Sequence, residues 1–219
     1  MKRGEYTYIW QSGDWPDWRY DLAALADPLA RVSHAQGLLL GRLADVGLAL
    51  RDQASLAALT EDVVKTSAIE GEHLDVASVR SSIARRLGVD IGALAPVDRH
   101  VEGMVEVVLD ATGNCRAKVT KTRLFGWHAA LFPTGYSGLG KISVGTWRDD
   151  ASGPMQVISG PVGRQRVHYE APPAKRLETE TRRFLDWINR QPAEPPLLRA
   201  GLGHLWLVTL HPFDDGNGR

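Results

Sequence analysis

Residues 211–219 have the sequence His-Pro-Phe-Asp-Asp-Gly-Asn-Gly-Arg and follow a nearly continuous apolar run centred on Trp206. That run, from about residue 196 to 210, predicts a buried central helix because it is nearly all apolar. Pro212 disfavours the α-helical region for the residue before it, so the helix should end at or just before His211. The sequence therefore places an imidazole at the mouth of the core.

Two carboxylates, two glycines and an arginine follow this histidine. If a helix begins at about Gly218, the backbone N–H groups around it form an anion site, to which Arg219 adds a fork of donors. A carboxylate beside such a site would repel a polyphosphate, so we expect Asp215 to hold Mg²⁺ together with phosphate oxygens. A histidine with the usual pKa of about 6.5 can accept the proton of an attacking hydroxyl near neutral pH. Together these groups indicate transfer of part of a nucleoside triphosphate.

The amino-acid composition excludes several classes of function and site. The 219 residues include 26 basic and 26 acidic side chains, so the formal net charge is zero and no nucleic-acid partner is indicated. Cys115 is the only cysteine, which excludes an internal disulfide and a thiolate metal cluster. Because no apolar stretch is long enough for a signal sequence or a membrane span, we expect a soluble, cytoplasmic protein with no membrane partner.

Apolar residues at helical spacing predict four helices in the first half of the chain. Their expected ranges are 27–50, 55–71, 75–88 and 98–114. Asp27 followed by Pro28 has the signature of an N-cap and first helical position for the first of them. Before these helices, Trp10, Trp15 and Trp18 are too large to leave exposed, so we expect a strap docked on the core.

The second half is predicted to mix helix and hairpin. A short helix over 120–131 is followed by an irregular stretch over 135–150. Two extended runs, 155–159 and 165–169, flank a Gly- and Pro-containing loop and predict a β-hairpin. Helices over 173–189 and 196–210 complete a mainly α fold.

The nine-residue loop resembles the signature of the Fic (filamentation induced by cAMP) family, His-Pro-Phe-x-Asp/Glu-Gly-Asn-Gly/Lys-Arg, and matches it at every position. The helix ending in residues 127–132 and the hairpin also resemble the family's core. The stretch from about Tyr8 to Leu94 is similar to an N-terminal domain often joined to Fic cores. The resemblance implies a mainly α, Fic-type helical core over 96–219 with a β-hairpin flap, preceded by an N-terminal helical domain over 1–95.

The resemblance also implies a reaction and roles for individual residues. His211 would be the general base and Asp215 the ligand of Mg²⁺. The nucleotide-binding residues would be Phe213, Asp214, Gly216, Asn217, Gly218 and Arg219, with Phe213 also anchoring the loop. A Ser, Thr or Tyr hydroxyl of a target protein would attack the α-phosphorus of ATP, and AMP would be transferred. The target would dock on the flap by strand addition at Val157, Ile158 and Ser159.

Residues 66–71, Thr-Ser-Ala-Ile-Glu-Gly, resemble the family's inhibitory motif, Ser/Thr-x-x-x-Glu-Gly/Asn. Thr66 and Glu70 fit its spacing, and Ser67 is an additional contact. Glu70 falls in the last turn of a predicted helix, where an anion is disfavoured by about 0.3–1 kcal/mol, so a cationic partner is expected. The resemblance implies that Glu70 pairs with a motif arginine and obstructs binding of the γ-phosphate.

Some alternatives stay open at this level. A Fic enzyme that removes AMP or transfers another phosphorylated group would use the same His211 and Asp215. A non-catalytic regulator would keep the loop only to hold nucleotide. The partners expected are ATP and a target protein, with a homodimer as a further option. The family's motif continues x-x-Arg past Arg219, so we expect the chain to continue or another segment to complete the core. His128 and His204 are expected to be structural.

Overall fold

The computed structural model describes residues 7–161 and 163–219. Residues 1–6 and Val162, which belongs to the predicted hairpin loop, lie outside the described residues. Over the described ranges the fold is mainly α, as predicted, with seven α-helices and two small two-stranded sheets. One sheet is the predicted hairpin, and the other lies in the stretch over 135–150 that was expected to be irregular. Across the same ranges, none of the helices combines the length and apolar character needed to cross a bilayer.

A 3-10 turn, Ile9–Gln11, precedes the longer elements. The helices are α1 (Leu22–Ala44), α2 (Leu48–Ile69), α3 (Val76–Leu87), α4 (Arg99–Gly113), α5 (Lys121–Leu131), α6 (Ala174–Asn189) and α7 (Pro196–Leu210). The strands are β1 (Tyr136–Ser137), β2 (Gly140–Lys141), β3 (Gln156–Ser159) and β4 (Arg166–Glu170).

The chain forms two compact units, and each is discontinuous in sequence. One unit takes in the chain up to Tyr20 together with Lys118–Phe125 and Ser137–Gly218. The other contains Asp21–Ala117, Gly126–Tyr136 and Arg219. The division at residue 95 stays a prediction from the resemblance.

The predicted start of the first helix was wrong. The α1 helix begins six residues before Pro28, because the side chain of Asp21 accepts hydrogen bonds from the N–H groups of Ala23 and Ala24 at 2.9 and 3.1 Å. Pro28 therefore lies inside the helix. The N-cap at Asp21 therefore sets the start of the helix, and the Asp27-Pro28 pair does not.

The break between the first two helices was also misplaced. The α1 helix ends at Ala44, and α2 begins at Leu48 rather than near residue 55. Arg51, on α2, donates to the carbonyls of Leu43 and Ala44 at 2.9 and 2.5 Å. Carbonyls in the last turn of a helix have no partner within the helix, so this guanidinium stabilises the earlier ending.

The remaining helix ends in the first half agree with the sequence. Gly71 and Gly88 follow α2 and α3 in left-handed backbone conformations, with φ of 82° and 69°. Asp75 caps α3 through the N–H of Ser78 at 2.7 Å, and Asp98 caps α4 through the N–H of Val101 at 2.8 Å.

The tryptophan-rich strap packs on α6 and α7 of its own unit, as predicted. Its members join a buried cluster formed by Trp10, Trp15, Phe184, Trp187, Leu202, Trp206 and Leu210. Indole donors fix the strap, because Trp10 Nε1 donates to the carbonyl of Glu170 at 2.7 Å and Trp15 Nε1 to Glu180 Oε2 at 3.1 Å. The α7 helix is less enclosed than predicted, since Leu205 on its other face is 45% exposed.

Candidate functional site

The loop after α7 begins with a residue in an unusual backbone conformation. His211 is half-buried and left-handed, with φ of 48° and ψ of 57°. Its N–H donates to the carbonyl of Leu207 at 3.0 Å, which closes the last turn of α7. A non-glycine residue in this region is strained and persists only where its surroundings hold it. The helix therefore ends at the predicted place, and the imidazole starts the loop.

The loop is closed by the amide of Asn217. Asn217 Oδ1 accepts the N–H of Phe213 at 2.9 Å, and Asn217 Nδ2 donates to the carbonyl of Phe213 at 2.9 Å. Asn217 is only 6% exposed, so both hydrogen bonds are shielded from water. Gly216 supplies the positive φ, 78°, that the turn between them requires.

Phe213 ties this loop to the interior of its unit. It is 6% exposed and belongs to an aromatic trio with Phe125 and Trp147. The ring centroids of Phe213 and Trp147 are 5.1 Å apart, and those of Phe125 and Trp147 are 4.5 Å apart. These packed rings make Phe213 the anchor of a polar loop.

Both carboxylates of the loop are oriented by the 137–143 segment. Ser137 Oγ donates a short hydrogen bond to Asp215 Oδ2, and the N–H of Ser143 donates to Asp214 Oδ2 at 2.8 Å. The N–H of Gly216 also donates to Asp215 Oδ1 at 2.6 Å. These hydrogen bonds hold both carboxylates in place.

Arg148 is a buried cation close to the start of the loop. Its guanidinium donates to the carbonyl of His211 at 2.7 Å, to Asp150 at 2.8 Å and to the carbonyl of Pro172 at 2.6 Å. Burial lowers the pKa of Arg148, while the neighbouring charges of Asp150 and Asp214 raise it in opposition. An arginine pKa starts so high that the side chain stays charged.

The last residue of the loop is held by an acidic side chain that the sequence analysis did not single out. Arg219 is paired with Glu72 at 2.7 Å, and its side chain is only 8% exposed. Its guanidinium carbon lies 5.2 Å from the ring centroid of Phe132, a cation–π contact. Glu72 also contacts His100 Nε2, at 2.5 Å. A second carboxylate directly after Gly71 was the available signal for this pair.

Comparison with known families explains this arrangement. Residues 118–219, which include the whole loop, match the Fic/DOC family. This segment is a Fic domain. Residues 8–89 match a family described as a domain of unknown function, DUF4172. Fic domains are typically transferases.

Solved structures of Fic proteins share the fold. A Fic family protein from Desulfovibrio desulfuricans is 23% identical with a TM-score of 0.56, and the match covers 93% of this chain and 56% of that one. Fic-1 from C. elegans is 21% identical with a TM-score of 0.58, covering 90% and 54%. A Fic domain-containing signalling protein from Bacteroides thetaiotaomicron is 18% identical with a TM-score of 0.54, covering 77% and 62%. The chain thus spans between 54% and 62% of the length of these proteins.

The motif that resembles the family's inhibitory segment occupies the end of α2. Ser67 is fully buried and Thr66 half-buried, whereas Glu70 is exposed at the C-cap. The N–H of Glu72 donates to the carbonyl of Ser67 at 2.9 Å, so the turn folds back on the helix. The ion pair described above therefore joins Arg219 to this turn at a position two residues beyond Glu70.

The flap of the Fic domain is the hairpin β3–β4. The strands are antiparallel, with Val157 opposite Tyr169 and an irregularity before Ile158. Val157 and Ile158 are each 45% exposed, and Ser159 Oγ contacts His168 Nε2 at 2.6 Å. Tyr169 Oη donates to the carbonyl of Thr209 at 2.5 Å, which ties β4 to the helix that carries the loop. The pKa of the Tyr169 phenol is raised above its usual value because the group is buried.

The two histidines expected to be structural differ in exposure. His128 is 2% exposed on α5, with its ring centroid 5.1 Å from that of Phe132, whereas His204 is exposed on α7. In the described parts of the chain no cluster of three His, Cys, Asp or Glu side chains could hold a metal ion by itself.

Proposed function

We propose that the protein is a protein adenylyltransferase, which transfers AMP from ATP to a Ser, Thr or Tyr hydroxyl of a target protein. The observation that carries the proposal is the conformation of the loop after α7. His211 is held left-handed at its start, and Asn217 closes it over Phe213 within the Fic domain. Acid–base, acidic and cationic side chains thus occur within nine residues of one ordered loop.

In the proposed reaction His211 accepts the proton of the target hydroxyl. The hydroxyl oxygen forms a bond to the α-phosphorus of ATP, and the bond from that phosphorus to the oxygen bridging the β-phosphate breaks. AMP becomes esterified to the target, and pyrophosphate leaves. A positioned base of this kind contributes typically 10²–10⁴-fold to the rate.

Asp215 fits a magnesium ion that is bound mostly by phosphate oxygens and water. Such an ion uses one or two protein carboxylates, and Asp215 is a half-buried carboxylate oriented by Ser137. When bound, Mg²⁺ would offset the negative charge of the phosphates. Gly216, Asn217 and Gly218 would surround the α- and β-phosphates, and Arg219 would contribute a phosphate contact.

We also propose that the enzyme is inhibited by its own α2 segment, with Glu70 as the inhibitory side chain. The supporting observation is that Arg219 is already paired with a carboxylate of the following turn, at Glu72. An arginine held by protein carboxylates is less available to a nucleotide phosphate. Displacement of the 66–72 segment would therefore raise activity.

The flap would dock the target. Val157, Ile158 and Ser159 lie on an exposed strand of a two-stranded sheet, so one backbone edge can accept an added strand. The apolar side chains of Val157 and Ile158 would contact the target beside the transferred group.

The test is intact-protein mass spectrometry of the full chain after incubation with ATP and Mg²⁺. Three variants are compared with the parent: Glu70→Gly, Glu70→Gly/His211→Ala and Glu70→Gly/His204→Ala. We expect an adduct of one adenylyl mass in Glu70→Gly and in the His204 variant, but not in the His211 variant. His204 is the matched control because it is an exposed histidine on the helix that leads into the loop.

Each outcome bears on a separate part of the proposal. An adduct of a different mass would identify another transferred group. Equal labelling of the parent and Glu70→Gly would remove the inhibitory role, and labelling that survives in Glu70→Gly/His211→Ala would remove the proposed base. Binding of ATP without any adduct, on the protein or on added candidate targets, would favour a regulator.

A further inference from the structure

Arg148 contacts backbone groups of the catalytic loop in addition to a carboxylate. An arginine buried only to form an ion pair would not need these backbone contacts. It lies in the irregular segment between β2 and β3, and its side chain is completely shielded from solvent. Of its guanidinium contacts, one goes to a carboxylate and two go to carbonyl oxygens. Burying a guanidinium is costly unless its donors are satisfied, so this position has a specific structural task.

The first carbonyl belongs to His211 itself. Arg148 Nε donates to His211 O at 2.7 Å, and the backbone N–H of Arg148 donates to the carbonyl of Pro212 at 2.9 Å. Two successive peptide units of the loop are thus held by one residue. Together with the bond from the N–H of His211 to Leu207, these contacts hold the left-handed conformation at His211.

The remaining contacts link the loop to the exit of the flap. Arg148 donates to the carbonyl of Pro172, two residues after the end of β4, and to Asp150. Asp150 in turn accepts the N–H of Ala174, the first residue of α6, at 2.6 Å. One planar guanidinium therefore connects the base, the flap and the start of α6 within the same unit.

We infer that Arg148 is a positioning residue that sets the orientation of the His211 imidazole relative to the flap. This inference rests on the proposed role of His211 as general base. The direction of a side chain follows from the backbone angles of its residue, so a carbonyl displaced at His211 also turns its ring. Arg148 does not touch the reacting atoms in this arrangement, and its effect passes through the backbone.

Lysine cannot reproduce this geometry. Arginine presents donors in a rigid planar fork, whereas the lysine ammonium is a compact point charge on a flexible stem. Arg148→Lys keeps the charge beside Asp150 but cannot reach the carbonyls of both His211 and Pro172 in the same directions. A misplacement of about 1 Å can cost about 100-fold in rate.

The chain offers a matched control in Arg199. Its side chain is 11% exposed and donates to the carbonyl of Trp187 at 2.6 Å and to Glu194 at 2.7 Å. It belongs to the same unit and lies in the first turn of α7, at the opposite end from the loop. Arg199→Lys therefore removes a comparable buried fork with no contact to His211.

The experiment compares Arg148→Lys and Arg199→Lys in the full chain carrying Glu70→Gly. We measure the melting temperature, the binding of a fluorescent ATP analogue, AMP transfer and the ¹H–¹⁵N signals of the His211 ring. The ring signals are assigned as those that disappear in His211→Gln. For Arg148→Lys we expect kcat to fall about 100-fold while nucleotide binding changes less than about threefold. The His211 ring signals should shift in Arg148→Lys and stay at the parent positions in Arg199→Lys.

The inference is overturned if the His211 signals are the same in Arg148→Lys and the parent, or if they shift equally in Arg199→Lys. It is also overturned if kcat falls equally in both variants, since that would reflect general loss of packing. If Glu70→Gly itself transfers no AMP, the proposed function fails, and the ring signals still decide whether Arg148 positions His211. Should Arg148→Lys not fold, Arg148→Gln is measured against Arg199→Gln in the same way.

Discussion

A methyl group added at Gly103 should strongly disturb helix packing. It lies on α4, where the helix backbone approaches the backbone of α5 at Ala130. A Cβ on residue 103 would lie 1.8 Å from the carbonyl oxygen of Ala130 and 2.7 Å from its carbonyl carbon. Ordinary Cβ contacts begin at 3.4 Å, so the two backbones would have to separate by 3.4 − 1.8 = 1.6 Å.

The expected change in the free energy of unfolding is the sum of two opposing effects of Gly103→Ala. Overpacking a core costs about 1–3 kcal/mol, and the upper end applies because a backbone carbonyl cannot rotate out of the way. Alanine is favoured over glycine within a helix by about 1 kcal/mol. The free energy of unfolding should therefore fall by about 2 kcal/mol, which lowers the melting temperature by about 4–8 °C for a chain of this size.

The displacement should also reach Arg219, the last residue of the loop that follows α7. Ala130 is two residues before Phe132, whose ring lies against the guanidinium of Arg219. Moving the end of α5 would disturb that contact. We expect Gly103→Ala to weaken nucleotide binding in addition to lowering stability.

The assay is thermal and urea unfolding followed by circular dichroism, with Gly41→Ala as the control. Gly41 is also inside a helix, α1, but a Cβ there meets nothing within 4 Å. Gly41→Ala should leave stability unchanged or raise it by up to about 1 kcal/mol. If Gly103→Ala unfolds at or above the parent temperature, the close approach of α4 and α5 is not a constraint and the reasoning is refuted.

Three further predictions concern the loop, the strap and the flap. Asp215→Asn should weaken Mg²⁺-dependent binding of a non-hydrolysable ATP analogue by about tenfold or more in calorimetry; equal Mg²⁺ dependence in parent and variant would exclude the metal role. Glu180→Ala should lower the free energy of unfolding by about 1–3 kcal/mol, because it leaves the indole N–H of Trp15 buried without its acceptor; Glu178→Ala, on the exposed face of the same helix, should lower it less. Burial raises the pKa of Tyr169, so stability is complete below the unfolded tyrosine pKa of about 10 and is lost as pH rises above it; urea unfolding at pH 9 and 11 should show a larger loss in the parent than in Tyr169→Phe.

Local signals were sufficient for most of the secondary structure. Glycines after α2 and α3 and aspartates before α3 and α4 act within one or two turns, so they can be recognised without knowing the fold. The start of α1 was predicted wrongly because the sequence contains two helix-start signals of the same kind. Asp21 and Asp27 could both cap a helix, and the sequence does not show which of them outcompetes the other.

The sequence by itself determined the family, the mainly α fold and the loop of nine residues, because each depends on residues that are adjacent or regularly spaced. Only the tertiary structure identified Arg148 and Glu72 as partners of that loop, at separations in sequence of 63 residues from His211 and 147 from Arg219. Nothing near Arg148 in the sequence distinguishes it from a solvated charge, and for Glu72 the only signal is its place directly after Gly71. Arg148 and Arg219 are the buried members of these pairs, and a charged group removed from water must find its partners wherever the fold places them.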